Sequence, residues 1–282
     1  MKGFINIIKP QNMSSAAVVS IVKKKFNLPC GHMGTLDPMA TGVLPIGIAK
    51  TSRLFQYLLD KDKTYVAKFV FGFSTDTLDV TGKILEQNGK VPTIEQIKQV
   101  LPQFIGEIEQ VPPNYSAKCI NGKRGYQLAR QGIEFEIPPK KVTIQNIKLI
   151  NQISNKEFLF EIKCKGGTYI RSLARDIGLS CGCLATMSAL DRTTCGIFNY
   201  QNGTTIEQLK NSDNVERFLI APERSLNFEE ICLSNQQAQR ILDGIFGKTK
   251  FKDGLYKVFN EQDFWGVGQV EDGVLKIISY VR

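Results

Sequence analysis

Asp37 and His32 stand in a stretch of seventeen residues, Gly31 to Gly47, reading Gly-His-Met-Gly-Thr-Leu-Asp-Pro-Met-Ala-Thr-Gly-Val-Leu-Pro-Ile-Gly. They are its only side chains that titrate near neutral pH, and His32 is the single histidine of the chain. Asp37 precedes Pro38, which steers it away from the helical region towards an extended backbone. Met33, Leu36, Met39, Val43, Leu44 and Ile46 supply apolar surface with which the stretch packs onto a core. A carboxylate on a rigid, apolar-backed loop can act as a nucleophile or a base. The same residues also allow an Asx-turn, in which Asp37 only bonds the backbone two residues on. The spacing leaves both open. Four glycines and two prolines argue against a helix or a long strand here, with Val43 to Ile48 as a strand leaving the loop.

Three further polar side chains are candidates. Tyr65 follows Asp62-Lys63-Thr64 at the head of Lys63 to Phe73, where Tyr65, Ala67, Phe69 and Phe71 alternate with Val66, Lys68 and Val70. That alternation predicts a strand. Tyr169 and Arg171 belong to Lys165-Gly-Gly-Thr-Tyr-Ile-Arg171, ahead of a helix expected from about Thr168 to Ile177. If Thr168 to Arg171 is extended, the two share one face. A tyrosine opening a strand is also a packing residue, and an arginine on an amphipathic segment also pairs with a neighbouring acid. Spacing does not bring these groups together. With one histidine, neither a serine–histidine–acid nor a cysteine–histidine arrangement is convincing. The chain has no phosphate-binding glycine loop and no carboxylate cluster suited to two metals.

The elements that must position these residues follow from the pattern. Gly3 to Ile8 reads as a strand, Ser14 caps a helix to about Phe26, and Thr51 to Leu59 reads as a short amphipathic helix. Thr93-Ile-Glu-Gln96 is a capping box, and Val142 to Ile150, Glu157 to Cys164 and Leu184 to Leu190 are further strands. Near Glu229 the composition shifts to one helix and three strands, with Asp272-Gly273 as a turn. That predicts a small β module.

At 282 residues the chain can hold a large core and a satellite. No apolar run reaches the ~18 residues of a membrane span, and the start has too short an apolar stretch for a secretory signal. Seven scattered cysteines, with Cys181 and Cys183 the only close pair, read as reduced packing residues rather than a disulfide framework or metal site. A cytoplasmic location is therefore expected. The net charge is +9, divided as +4 over residues 1–113, +7 over 114–192 and −2 over 193–282. A basic middle section suits a polyanion, most simply nucleic acid. Within it, residues 111–141 open with Val-Pro-Pro-Asn, close with Pro138-Pro139-Lys140-Lys141, and interleave Lys118, Lys123, Arg124 and Arg130 with Tyr115 and Tyr126. This reads as an excursion able to hinge and to clamp a phosphate backbone.

Taken together, the motifs resemble the tRNA pseudouridine-55 synthases of the TruB family. The resemblance rests on Lys9-Pro-Gln-Asn-Met-Ser-Ser15, Gly31 to Gly42, Tyr57-Leu-Leu-Asp-Lys-Asp-Lys-Thr-Tyr65, Gly72-Phe-Ser-Thr-Asp-Thr77 and Lys165 to Arg171, in the family's order. Met33 departs from it, standing where the family usually has threonine. The resemblance implies an α+β fold: a mixed, largely antiparallel pseudouridine-synthase-like sheet with flanking helices, spanning 1–228, and a PUA-like RNA-binding β module over 229–282. It implies a catalytic Asp37 paired with Arg171, which keeps the carboxylate ionised. It further implies Tyr65 stacking on a flipped uracil and moving a proton, Tyr169 and Leu190 lining the base pocket, Lys9 among the substrate-binding residues, and His32 taking the place of the extruded nucleotide. The implied partner is the T-arm stem-loop of tRNA, with no metal, no cofactor, no membrane and no obligate protein partner. The rival expectation is a non-catalytic RNA-binding or RNA-folding protein, against which an acid set in a basic cleft argues.

Overall fold

The computed structural model describes residues 1–58, 61–116, 118–120, 122–133, 135–245 and 247–282, and for Cys119, Ile120, Lys123 and Arg124 the backbone alone. The chain opens with β1 (Gly3–Lys9) and α1 (Ser15–Phe26), then β2 (Cys30–His32), β3 (Thr41–Ile48) and, after a 3-10 helix over Ala49–Tyr57, β4 (Lys63–Phe71). Next come β5 (Phe73–Thr75), β6 (Ile84–Gln87), α2 (Ile94–Val100), β7 (Gly106–Gln110), β8 (Cys119–Ile120), β9 (Lys123–Arg124) and α3 (Gly125–Arg130). The sequence continues with β10 (Lys140–Gln152), β11 (Glu157–Cys164), α4 (Ile170–Ser180), β12 (Ala185–Cys195), β13 (Phe198–Asn199) and α5 (Ile206–Asn211). It closes with β14 (Glu229–Leu233), α6 (Asn235–Leu242), β15 (Gly247–Lys248), β16 (Gly254–Asn260), β17 (Asp263–Glu271) and β18 (Val274–Tyr280).

The large sheet runs β1-β3-β12-β4-β11-β10-β7, with β2 on β3 and β13 on β12. All its pairings are antiparallel except β3 with β12, so the fold is the expected mixed α+β arrangement. Strand β4 shows how the pattern fixes a face. Lys63, Tyr65, Ala67, Phe69 and Phe71 are buried and the residues between them are half-buried, as period-two alternation demands. Phe69 stacks on Phe160 at 4.6 Å, and Phe71 meets Phe158 edge-on at 5.5 Å. Truncating either ring to alanine is expected to cost about 3–5 kcal/mol. On the same core, α4 lays down Ile170, Leu173, Ala174 and Ile177.

The stretch from Gly31 to Gly47 contains more strand than its glycines and prolines suggest. Thr41–Ile48 is one strand in the sheet interior, buried from Gly42 onward. Proline is tolerated because β3 changes partners around it: Thr41 and Gly42 pair with β12, and Ile46 to Ile48 pair with β2. Pro45 falls between, where no donor is needed, and its carbonyl accepts the Met33 N–H at 2.8 Å. At Gly42 (φ 103°) a Cβ would lie 2.3 Å from the Arg192 carbonyl oxygen. Only glycine allows β3 and β12 to come this close.

Excursion 111–141 leaves the sheet after Gln110 and returns at Lys140, and these two residues are paired across β7 and β10. The strap is thus an insertion between neighbouring strands, its exit and return side by side. Its expected cations Lys123 and Arg124 have side chains outside the described residues.

In the C-terminal part, β14-β16-β17-β18-β15 form a second sheet, with α6 capped at Ser234 by a reciprocal capping box. Phe264, Val267 and Val281 share one apolar cluster with Phe4, Leu54 and Leu58. Ser279 Oγ is 2.9 Å from both Gln56 Nε2 and the Tyr57 hydroxyl. The β module therefore docks on β1 and the 3-10 helix after β3. No helix among the described residues is long and apolar enough to cross a membrane.

Candidate active site

A cavity of about 250 Å³ opens where four parts of the chain meet. The loop between β2 and β3 supplies Gly34 to Asp37, β4 supplies Lys63 and Tyr65, β12 supplies Leu190 and Arg192, and the entry to α4 supplies Gly167 to Arg171. Tyr115 and Ser116 of the strap complete it. Asp37, Tyr65, Tyr169, Arg171 and Leu190 are therefore brought together.

Asp37 does not spend its side chain on a local turn. Its two oxygens receive Arg171 Nε at 2.9 Å and Nη2 at 3.1 Å, a forked ion pair. Arg171 is itself held on every side. Nη1 donates to the Thr77 carbonyl at 2.8 Å and lies 3.7 Å from Asp79, and Nη2 also donates to the Tyr115 carbonyl at 3.0 Å. Asp79 in turn accepts from Thr77 Oγ1 and the Thr81 N–H. Polar loop 75–79 is thus the outer support of the arginine. Burial lifts the Asp37 carboxyl above its usual range, Arg171 pulls it down, and the Asp79 carboxylate pushes it up again. The net shift is upward. Arg171 favours the ionised form, the direction expected of it, but desolvation outweighs the guanidinium.

Tyr169 caps α4 with an extended backbone (φ −100°, ψ 109°), but the helix begins at Ile170, so the stretch to Arg171 is not extended as the shared-face condition required, and it is the turn into α4 that brings both side chains to the cavity. Gln110 clasps it. Its side-chain amide accepts the Tyr169 N–H at 2.8 Å and donates to the Tyr169 carbonyl at 3.1 Å. Ser172 Oγ and Arg175 Nη2 then bond the Val111 carbonyl. The root of the strap is tied to the helix that carries Arg171.

The floor is sheet. Lys63 and Tyr65 alternate on β4, Leu190 and Arg192 alternate on β12, and Tyr65 pairs directly with Arg192. Arg192 is 1% exposed. Its Nε donates to the Val43 carbonyl at 2.8 Å and Nη2 to the Gly34 carbonyl at 3.0 Å, and across the strand pair the guanidinium acts on the Tyr65 phenol. Burial pushes the Tyr65 phenol up to about 12 against the opposing pull of Arg192. The residues missed at the sequence level are Arg192, Lys63 and Gln110. Parity pointed to the first two, since each lies two residues from a recognised inward side chain.

Lys9 and His32 are placed differently. Lys9 is fully buried, and its ammonium donates to the carbonyls of Pro10, Met13 and Pro38 at 2.9, 2.6 and 3.2 Å. Burial lowers it to about 8, with Asp37 pulling the other way. It ties down the loop around Pro38 and has no surface for substrate, a correction to its expected binding role. His32 is half-buried on β2 and does not line the cavity, though its Nε2 is 3.1 Å from Thr35 Oγ1, which does. Burial and the Arg192 charge lower its pKa. Met33 turns to the opposite side, into the apolar cluster that receives the C-terminal sheet.

Residues 22–170 match the TruB family pseudouridylate synthase N-terminal domain, and residues 171–222 match the tRNA pseudouridylate synthase B C-terminal domain. The matched spans hold Asp37, Tyr65, Tyr169, Arg171, Leu190 and Arg192, so fold and site define a pseudouridylate synthase. The chain is 42% identical over 295 residues to the tRNA pseudouridine synthase B of Alkaliphilus oremlandii (strain OhILAs), covering 100% of this chain and 98% of that one. It is 40% identical over 276 residues to the same enzyme of Caldanaerobacter subterraneus subsp. tengcongensis, covering 95% of each. The chain belongs to the TruB family. Among solved structures, a chain of a Cbf5-Nop10-Gar1 complex superposes with TM-score 0.69 at 26% identity, covering 98% of this chain and 79% of that one. A chain of an H/ACA RNP bound to a substrate RNA containing 2'-deoxyuridine shares the fold, with TM-score 0.71 at 23% identity over 99% of this chain and 85% of that one.

Proposed function

We propose that the protein isomerises a uridine in the T-arm of tRNA, at position 55, to pseudouridine, with Asp37 as the reacting group and without a cofactor. The observation that carries this reading is the forked Asp37–Arg171 pair facing a cavity floored by Tyr65. The reaction breaks the N1–C1′ bond and forms C5–C1′ within one nucleotide. C5 gives up its proton and N1 gains one, with no net change in electrons. The uracil must first leave its stack to be reached. Asp37 can attack the base, attack the sugar or remove a sugar proton, and each route is served by a carboxylate with a fixed direction.

Arg171 gives Asp37 that direction through its fork. Tyr65 offers a ring for the uracil to stack on and a hydroxyl within the cavity for proton movement, while Tyr169 and Leu190 flank the base. His32, at the mouth through Thr35, is suited to fill the gap left by the extruded nucleotide, and Lys9 acts by positioning the loop. The strap and the PUA-like module over 229–282 hold RNA beyond the cavity. We place the enzyme in the cytoplasm, in keeping with unpaired thiols at Cys30, Cys164, Cys181, Cys183, Cys195 and Cys232, and assign it no obligate protein partner.

The test is incubation with an unmodified tRNA transcript, followed by mapping of pseudouridine. One pseudouridine in the T-loop is expected with the parent and none with Asp37→Asn, while the variant still binds tRNA. Equal turnover by Asp37→Asn would remove the carboxylate from the mechanism. Binding without any pseudouridine from the parent would favour an RNA-folding protein.

A further inference from the structure

Arg192 is the largest side chain among the fully buried ones, and among the described residues no carboxylate forms an ion pair with it. Its neighbour Asp191 is no partner, being bonded to Thr41 Oγ1 at 2.7 Å and to the Tyr200 hydroxyl at 2.6 Å. A buried guanidinium without a counter-ion carries a desolvation cost of several kcal/mol. Its compensation comes instead from two carbonyls and a phenol, and all three belong to the site. Gly34 stands three residues before Asp37, Val43 anchors the returning strand of the same loop, and Tyr65 is the floor of the cavity.

We propose that Arg192 is a positioning residue for the reaction, fixing the Tyr65 hydroxyl and the Gly34–Asp37 loop relative to one another through its planar fork. This rests on the reading of Tyr65 as a site residue. The geometry suits the task better than charge alone would. Nε and Nη2 point to opposite ends of one loop, at Val43 and Gly34, so the plane of the guanidinium is set before it meets the phenol. Gly34 sits close: a Cβ there would be 3.3 Å from Nη1. The pairing of β4 with β12 sets Tyr65 directly opposite Arg192, so the phenol and the guanidinium meet on the cavity floor. A lysine cannot reproduce this, because its ammonium is a point charge on a flexible stem.

The experiment is a double-mutant cycle of Arg192→Lys and Tyr65→Phe, read as single-turnover rate at saturating tRNA and as tRNA affinity, with thermal melting as the check on folding. In the parent background Arg192→Lys is expected to slow the reaction by roughly 10²-fold, the scale on which a misplacement of about 1 Å acts, with affinity unchanged. In the Tyr65→Phe background it is expected to add little, since the group it positions is already gone. Full losses that multiply, or a loss of affinity matching the loss of rate, would overturn the proposal while leaving Tyr65 in its role. A Tyr65→Phe variant as fast as the parent would overturn that role and the proposal with it. A measurement that needs no change at Arg192 guards against a variant that fails to fold. Guanidinium protons of Arg192, followed by NMR, should exchange faster in Tyr65→Phe than in the parent, and identical exchange would overturn the proposal.

Discussion

Two buried arginines face the same cavity and are stabilised in opposite ways. Arg171, on the helix wall, is neutralised by Asp37 and backed by Asp79. Arg192, in the sheet floor, meets carbonyls and a phenol and, among the described residues, no carboxylate in an ion pair. On the wall, charge is matched so that one carboxylate is aimed and its proton affinity adjusted. On the floor, an unmatched charge is spread over dipoles, and what it fixes is the distance between loop and strand. A buried cation is thus not by itself a sign of an ion pair, and its partners say which job it does.

The floor can be broken most severely at Tyr65. Tyr65→Phe keeps the aromatic face, and stacking worth ~1–3 kcal/mol per base should preserve tRNA affinity. Loss of the hydroxyl should lower the single-turnover rate by roughly 10²–10⁴-fold, the contribution of a positioned proton carrier. Tyr65→Leu should lose both. A phenylalanine variant with parental turnover would reduce Tyr65 to a platform.

The wall should respond less to Asp79→Asn, which removes the second carboxylate from Arg171 and keeps the first. A fall of roughly tenfold in rate is expected, about 1.4 kcal/mol of barrier, because at 3.7 Å Asp79 acts on Arg171 through charge and not through a hydrogen bond. The same variant sharpens the electrostatic argument. Because the Asp37 carboxyl is raised in the folded protein, activity that needs the carboxylate should fall as pH drops through a value above the ordinary 3.8. Asp79 contributes to that rise, so Asp79→Asn should move the acid limb of the rate–pH profile downward. A limb that moves upward, or stays put, would show that Asp79 does not act on Asp37.

The smallest effect is expected furthest from both arginines, on the strap. Arg130 lies over the Tyr126 ring at 5.8 Å, and Lys118 follows the cavity-lining Ser116 by two positions. Alanine at both should lower the salt dependence of tRNA binding by roughly one unit of log–log slope for each phosphate no longer neutralised, with the rate at saturating tRNA nearly unchanged. An unaltered slope would make the two side chains ordinary solvated surface.

Much of this was legible in the sequence because it is local. The β4 alternation, the caps at Ser14 and Thr93, and the Asp272-Gly273 turn are all short-range signals, and each appears where expected. Strand β3 was expected from Val43 through Pro45 to Ile48, and what stayed hidden was its start at Thr41 and Gly42, whose partners Asp191 and Arg192 lie far along the chain. Strand β12 was expected to stop at Leu190, and that premature end left out Arg192, the next inward position. Lys9 was misplaced for a different reason. Its three acceptors, Pro10, Met13 and Pro38, come together only once the chain has folded back on itself, and no local pattern announces a lysine turned inward.

The close approach at Gly42 also has a consequence for heredity. Every amino-acid change reachable by altering one base of a glycine codon introduces a Cβ, and here that atom would fall 2.3 Å from the carbonyl oxygen of Arg192 and 2.7 Å from Asp191 Oδ1. Relief requires β3 and β12 to part, and with them the loop that bears Asp37 and the strand that bears Leu190 and Arg192. One position with no side chain is therefore a mutational dead end, closed by the backbone of a residue 150 places further along the chain.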